Sequence, residues 1–264
     1  MSLALGATWN PRGELARFLR LLPELKATYS GIAISCPPHA DLEVVERVKE
    51  EAGVKAIVNP EWSWGRRIAL EAAAKTGASH VQYADLDRLL RWVETQPEEW
   101  RRIAAEIERH DCLVIGRTPA AYSTHPQALI QTEAISNRVV SYLLGKPVDA
   151  SAGSKGFSRR AVQFLLANTR PERALGSDAE WPVLLSRAGF AVDTIEVDGL
   201  DWESADRYRE SSAGAQAQAF AAQAYDADPR SWEYRVGVAM EIVASGLDAM
   251  ERELVFPDED GQNG

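Results

Sequence analysis

The sequence predicts an α/β fold: a mostly parallel sheet flanked by helices, with a C-terminal helical extension. Three observations carry this. Short apolar runs alternate with helical spacings along the first two hundred residues, the mark of strand–helix–strand units. The runs are unbroken instead of alternating apolar and polar, as in strands covered on both faces. One run ends in a pair of aspartates, Asp85 and Asp87, at the strand mouth where open α/β sheets bind ligands.

The elements follow in order. Leu3 to Thr8 is the first strand. Asn10-Pro11 marks a helix start, and Leu15, Phe18, Leu19, Leu22 and Leu25 continue it at helical spacing. The second strand, Gly31 to Cys36, stops at Pro37-Pro38. Asp41 caps the next helix, whose apolar face carries Leu42, Val45, Val48 and Ala52. Val54 to Val58 is the third strand, and Trp64, Ile68, Ala72 and Lys75 lie along the third helix. His80 to Ala84 is the strand before the aspartate pair.

Later elements are less regular. Cys112 to Gly116 is a strand, and a long helix spans Pro126 to Leu144, ended by Gly145. Ser154 to Phe157 is a short strand, Asp178 to Ala188 a helix, and Ala191 to Val197 a strand. From Glu203 the pattern is helical. The stretch from Ala213 to Ala224 favours helix through its alanine content, and Pro229 starts a last helix reaching Leu254. On that helix Trp232, Val236, Met240, Val243, Leu247 and Met250 form an apolar stripe to be buried on the sheet or against a second copy. The expected organisation is residues 1–200 as a catalytic core, 201–256 as the helical extension and 257–264 as a disordered acidic tail.

Bulk properties narrow the function. In 264 residues the net charge is −10, with 45% hydrophobic and 26% charged residues, an ordinary globular balance. That charge argues against a nucleic-acid backbone as partner. Cys36 and Cys112 read as buried thiols of a reducing compartment. With no signal peptide and no apolar run near the ~20 residues of a spanning helix, a cytoplasmic location is expected. The four histidines show no metal spacing. Motifs of α/β-hydrolases, P-loop enzymes and simple dinucleotide dehydrogenases are missing.

Three segments carry candidate chemistry. Asp85 and Asp87, two apart on a strand, would face one side and could hold a hard divalent cation and, through it, a diphosphate; alternatively Asp87 caps a helix beginning near Leu89. From Asp149 to Arg160, Gly153 and Gly156 allow close backbone approach, and Lys155, Arg159 and Arg160 could offset phosphate charge; equally, the segment is a turn before a helix capped by Ser158. In Gly176 to Trp181, Ser177 or Asp178 is an N-cap candidate, and the functional alternative is a general base. Glu133, Asn137 and Arg138 on the long helix could reach a substrate or face water.

In order, these segments resemble the GT-A glycosyltransferases, above all the family-2-like enzymes and the polyprenyl-phosphate sugar transferases. Trp64 to Ala73 is similar to the family's helix before the metal motif, and Tyr83-Ala84-Asp85-Leu86-Asp87 to its Asp-x-Asp. Asp149 to Arg159 is similar to its Ser-Gly-containing segment, and Ser177 to Trp181, followed by Ala188-Gly189-Phe190, to the segment bearing the acceptor-side carboxylate. The resemblance covers Leu3 to Val197 and implies a nucleoside-diphosphate-sugar donor, a hydroxyl acceptor, and Mn2+ or Mg2+ at Asp85 and Asp87. It implies Asp178, or else Glu180, as base, with Thr8, Asn10, Arg66, Lys155 and Arg159 on the donor side. The family's acid after the second strand is replaced by Ser35-Cys36-Pro37-Pro38, with Asp41 the nearest acid, so the base of the donor is open. Arg88 follows the motif and could replace the metal or weaken its binding. The function expected is therefore a metal-dependent glycosyltransferase, a homodimer through its C-terminal helices being one arrangement. The alternatives are a degenerate sugar-nucleotide-binding protein that has lost turnover and a nucleotidyltransferase.

Overall fold

In the computed structural model, residues 2–170 and 172–257 are described. The first half repeats strand and helix: β1 (Leu3–Thr8), α1 (Leu15–Thr28), β2 (Ile32–Cys36), α2 (Leu42–Lys49), β3 (Val54–Val58), α3 (Gly65–Ala74) and β4 (His80–Asp85). Then come α4 (Leu86–Thr95), α5 (Pro97–Ile107), β5 (Cys112–Arg117), α6 (Pro119–Ser123) and α7 (Gln127–Leu144). The rest is β6 (Ser154–Ser158), α8 (Arg159–Asn168), α9 (Ser177–Arg187), β7 (Val192–Val197), α10 (Ala215–Asp226) and α11 (Pro229–Glu251).

The seven strands form one sheet in the order β3-β2-β1-β4-β6-β5-β7. Every pairing is parallel except those of β6, which runs antiparallel to both β4 and β5. A core lies on each face. One gathers Phe18, Leu22, Trp92, Trp100 and Ile103; the other gathers Leu70, Phe164, Trp181 and Leu184 under α3, α8 and α9. Burial on both faces explains the unbroken apolar runs. The fold is the α/β architecture expected, mostly parallel, with a long helix at its C-terminal end.

Local signals explain most boundaries. Asp41 accepts hydrogen bonds from the Glu43 and Val44 amides and caps α2; Ser158 accepts from Ala161 and caps α8. Gly145 ends α7 at φ +68°, a conformation that costs glycine least. Three expectations are corrected. Helix α1 starts at Leu15, not at Pro11. Asp87 does not cap a helix near Leu89: β4 passes directly into α4 at Leu86, which puts Asp85 at the N-cap position and Asp87 in the first helical turn. Neither Ser177 nor Asp178 caps α9, because both lie inside it, after Gly176.

The last helix also packs differently from the expected stripe. Its buried face is Val238, Ala239, Ile242, Gly246 and Ala249, set against α7 and α9. Small residues allow that approach: a methyl at Gly246 would lie 3.0 Å from Leu143 and 3.1 Å from Ala179. Val236, Met240, Leu247 and Met250 face outward. Among the described residues no helix is long and apolar enough to cross a membrane. Cys36 and Cys112 are buried and unpaired, and burial pushes their thiols up to about 11 and about 12. The acidic tail lies, from residue 258 on, outside the described residues.

Candidate functional site

The C-terminal ends of β1, β2 and β4 stand level: Thr8 pairs in register with both Ser35 and Asp85. A cavity of about 130 Å³ opens there, lined among others by Thr8, Ser35, Asn59, Asp85, Asp87 and Glu203. Its inner wall is neutral and polar, since Ser35 donates to the Asn59 side-chain carbonyl. Its outer wall is Trp62, half exposed on a 3₁₀ turn between β3 and α3.

Asp85 is held from three sides. Its Oδ1 accepts from the Tyr83 hydroxyl at 2.7 Å and from Thr8 at 3.1 Å, and Arg66 Nη2 lies 3.4 Å from Oδ2. Behind it the turn over residues 150–153 closes tightly: Asp85 N donates to the Gly153 carbonyl at 3.1 Å. Gly153 has φ +73°, and any Cβ there would collide with the Asp85 carboxylate. Gly156, by contrast, makes room for Ile107 of α5 and meets no cavity.

Asp87 has poorer company. Among the described residues its one ion pair is with Arg12, at 3.3 Å. Burial, then the like charges of Glu203 and Asp85, push its carboxyl up to about 7. Arg88 does not turn onto Asp87. Its guanidinium donates to the carbonyls of Ala152 at 2.7 Å and Ser151 at 3.3 Å, and its Nε lies 3.4 Å from Glu203. Glu203 Oε2 is buried without a hydrogen-bond donor.

A sealed layer of charge lies next to Asp85. Arg66 reaches from Asp85 to Asp178, at 2.8 Å, and donates to Ser177 at 3.1 Å. Lys155 donates to Asp178 at 2.8 Å and to the Ala150 carbonyl at 3.0 Å. Burial raises the Asp178 carboxyl, but Arg66 and Lys155 outweigh it and hold the group below the usual carboxylate range. A second buried network anchors the turn before Gly153. Arg117 pairs with Asp149 and Glu133, each at 2.7 Å, and the Asn137 carbonyl accepts from the amides of Ala150 and Ser151. Glu133 and Asn137 thus work inside the protein, while Arg138 lines a separate cavity beside β5 and β7.

Of the residues singled out by sequence, Thr8, Asn10, Asp85 and Asp87 line the cavity together. Arg66, Lys155 and Asp178 form the adjoining layer. Two others lie elsewhere. Arg159 donates to the carbonyls of Gly77 and Ala78, at the far end of β4, because antiparallel β6 carries it to the opposite sheet edge. Glu180 is tied to Arg252 at 2.6 Å and accepts from the Arg170 amide. The sequence reading did not find Arg12, Asn59, Trp62 or Glu203. Only Trp62 had a visible signal, as one of two tryptophans between a strand and a helix.

The donor set suits a hard divalent ion in part. Carboxylate oxygens are the preferred ligands, and Mg2+-type sites take one or two carboxylates, the substrate's phosphates adding further ligands. Asp85 and Asp87 supply two, and the Glu203 oxygen that accepts no hydrogen bond is a nearby third. Among the described residues no three His, Cys, Asp or Glu side chains stand close enough to hold an ion by themselves.

No protein-family model matches the chain, and no curated protein matches it. Among solved structures it is similar to the glucosyl-3-phosphoglycerate synthase of Mycobacterium tuberculosis, crystallised with Mn2+, uridine-diphosphate-glucose and phosphoglyceric acid. The TM-score is 0.53 at 10% identity, covering 98% of this chain and 81% of that one. The chain therefore has a GT-A-like fold.

Proposed function

We propose that this protein is a glycosyltransferase that moves a sugar from a nucleoside-diphosphate-sugar to a hydroxyl acceptor, with Mn2+ or Mg2+ as its ion. One observation carries the reading. Three carboxylates, Asp85, Asp87 and Glu203, face one cavity at the C-terminal edge of a GT-A-like sheet, and burial with its two acidic neighbours leaves Asp87 with its carboxyl pushed up to about 7. Such a group attracts a divalent ion and the diphosphate that comes with it. The similar synthase carries Mn2+ and a uridine-diphosphate sugar, which supports the same ligand class here.

The protein's own groups would work as follows. Asp85 and Asp87 would hold the ion, which when bound offsets the charge of the departing diphosphate. Thr8 and Tyr83 fix the Asp85 carboxylate in place. The Asn59 side-chain NH2 would offer a donor and the Ser35 hydroxyl oxygen an acceptor to a nucleotide base, in place of a carboxylate. In the transfer, the acceptor oxygen bonds to the anomeric carbon as the bond from that carbon to the diphosphate oxygen breaks. The electron pair leaves with the diphosphate, and the hydroxyl proton passes to a carboxylate. Asp178 would take that proton once a substrate draws Arg66 or Lys155 away; otherwise its part is to hold those two cations. Glu180, tied to the end of α11, has a structural part. We further propose a cytoplasmic location, from the two reduced thiols, and a second copy of the chain as the cover for the outward face of α11.

One observation favours a second reading, a sugar-nucleotide-binding protein without turnover: Arg12 and Arg66 already touch the two aspartates. Calorimetry with UDP and with GDP, with and without manganese, followed by assay of nucleotide release from UDP-sugars, tests both. Manganese-dependent binding with slow donor hydrolysis is the expected result. Binding that ignores manganese, with no release, would leave only the second reading.

A further inference from the structure

Beside the donor cavity lies a larger groove, of about 880 Å³, between the 3₁₀ turn at Trp62, the segment before α9 and one face of α11. Trp62 lines both spaces, so the groove borders the cavity. Its apolar surface comes from Trp62, Leu175, Tyr234, Gly237, Met240 and Ala244. Trp62 is 51%, Tyr234 57% and Met240 68% exposed. This face of α11 lies between its buried face and the outward stripe of Val236, Leu247 and Met250.

The charge of the groove is informative. Three acids, Glu172, Glu233 and Glu241, stand against two arginines, Arg173 and Arg230. Arg173 is already paired with Asp248 outside the groove. The local balance is negative, which repels a phosphate or a carboxylate. The flat faces of Trp62 and Tyr234 suit sugar rings and apolar chains.

Resting on the donor reading above, we propose that this groove receives the acceptor, and that the acceptor is a neutral alcohol with an apolar body, such as an alkyl glycoside. Its hydroxyl end would point past Trp62 toward the donor cavity. The acceptor class then differs from the anionic phosphoglyceric acid found with the similar synthase.

The test is calorimetry on the whole protein with UDP and manganese present, using three probes: octyl β-glucoside below its micelle-forming concentration, methyl β-glucoside and 3-phosphoglycerate. Octyl glucoside is expected to bind about tenfold or more tighter than methyl glucoside, a difference of roughly 1.4 kcal/mol, and 3-phosphoglycerate not to bind. Gly237→Phe should abolish the octyl glucoside signal. A Cβ at Gly237 meets nothing within 4 Å, so the new ring fills the groove without displacing the helix. Tyr234→Ala, a second exposed position, should weaken binding about tenfold. Leu247→Glu, outside the groove, should leave it unchanged. Tighter binding of 3-phosphoglycerate, equal binding of the two glucosides, or equal losses from Gly237→Phe and Leu247→Glu would each overturn the proposal. A UDP titration in the parent protein keeps the two readings apart: if UDP fails to bind while octyl glucoside still responds to Gly237→Phe, the donor reading fails and the groove does not.

Discussion

Asp178 and Asp87 serve the same end of the sheet, yet their surroundings drive them in opposite directions. Asp178 is sealed between Arg66 and Lys155 and held below the usual carboxylate range. Asp87 pairs, among the described residues, with Arg12, has two acids nearby, and is pushed up to about 7. Asp178 is buried and Asp87 half-buried; burial pushes both carboxyls up, so the opposite outcomes come from the neighbours. A charge matched on every side serves structure. A charge left short of partners is costly to the free protein and gains from a cation that arrives with a ligand.

The largest expected effect breaks the matched side. Asp178→Ala strands Arg66 and Lys155 without a counter-charge and should cost about 3–5 kcal/mol in urea unfolding, the usual loss when one partner of a buried pair is removed. The parent's gain from Asp178 is present above the unfolded carboxylate pKa of about 3.9 and fades as pH falls below it, because the folded pKa is lower. A loss under about 1 kcal/mol would show that the layer is wetter than its burial implies.

The unmatched side should respond in function. Asp87→Ala is expected to lower UDP affinity in manganese by at least about 10–100-fold, the loss typical when only an outer-shell partner of a metal ligand is removed, while urea unfolding shows no loss of stability. Unchanged affinity in manganese would remove the metal role.

A smaller effect sharpens the contrast through pH. The folded pKa of Asp87 is raised, so its contribution to stability is whole below about pH 4 and is lost as pH rises through about 7. Asp87→Asn carries no such loss. Without metal, its melting point should match the parent near pH 4 and exceed it above pH 7, by about 2–4 °C for each 1 kcal/mol relieved. A gap that shrinks with rising pH would reverse the assignment.

The smallest effect lies outside both regions. Leu247→Glu, on the outward face of α11, should stay within about 0.5 kcal/mol of the parent and shift sedimentation from dimer toward monomer. A parent that sediments as a monomer would leave that face without a second copy.

Much of the sheet was legible because its strands are short apolar runs between strong stops. Pro37-Pro38, Asp41, Ser158 and Gly145 each mark a boundary through local chemistry, and local chemistry is readable in a sequence. The direction of β6 was not, because a buried strand reads alike whether it runs parallel or antiparallel. That single ambiguity misplaced Arg159, while Lys155, nearer the site end of the same strand, was placed beside Asp178. The convergence of Asp85 and Asp87 was legible, but for a different reason than strand alternation: a helix begins between them and its first turn carries Asp87 back to the cavity. Glu203 was out of reach, since it follows the last strand and only the folded sheet brings it near Asp87. The stripe on α11 did not mark the face packed within the chain, because alanine and glycine, weak marks of an apolar face, make the closer packing surface.

The inserted strand β6 also bears on how this chain is made. β1 to β4 are complete once Asp85 has been synthesised, but β4's partner on its open side is not β5, the next strand to emerge. It is β6, which ends at Ser158. At about 5–20 residues per second, a ribosome takes on the order of 4–15 s to cover that stretch. Throughout that interval the nascent protein displays an unpaired, largely apolar strand edge, Val81 to Ala84, of the kind that recruits chaperones or foreign strands. A mutation that slows the docking of β6 would therefore appear first as poor recovery of soluble protein, before any change in the finished molecule.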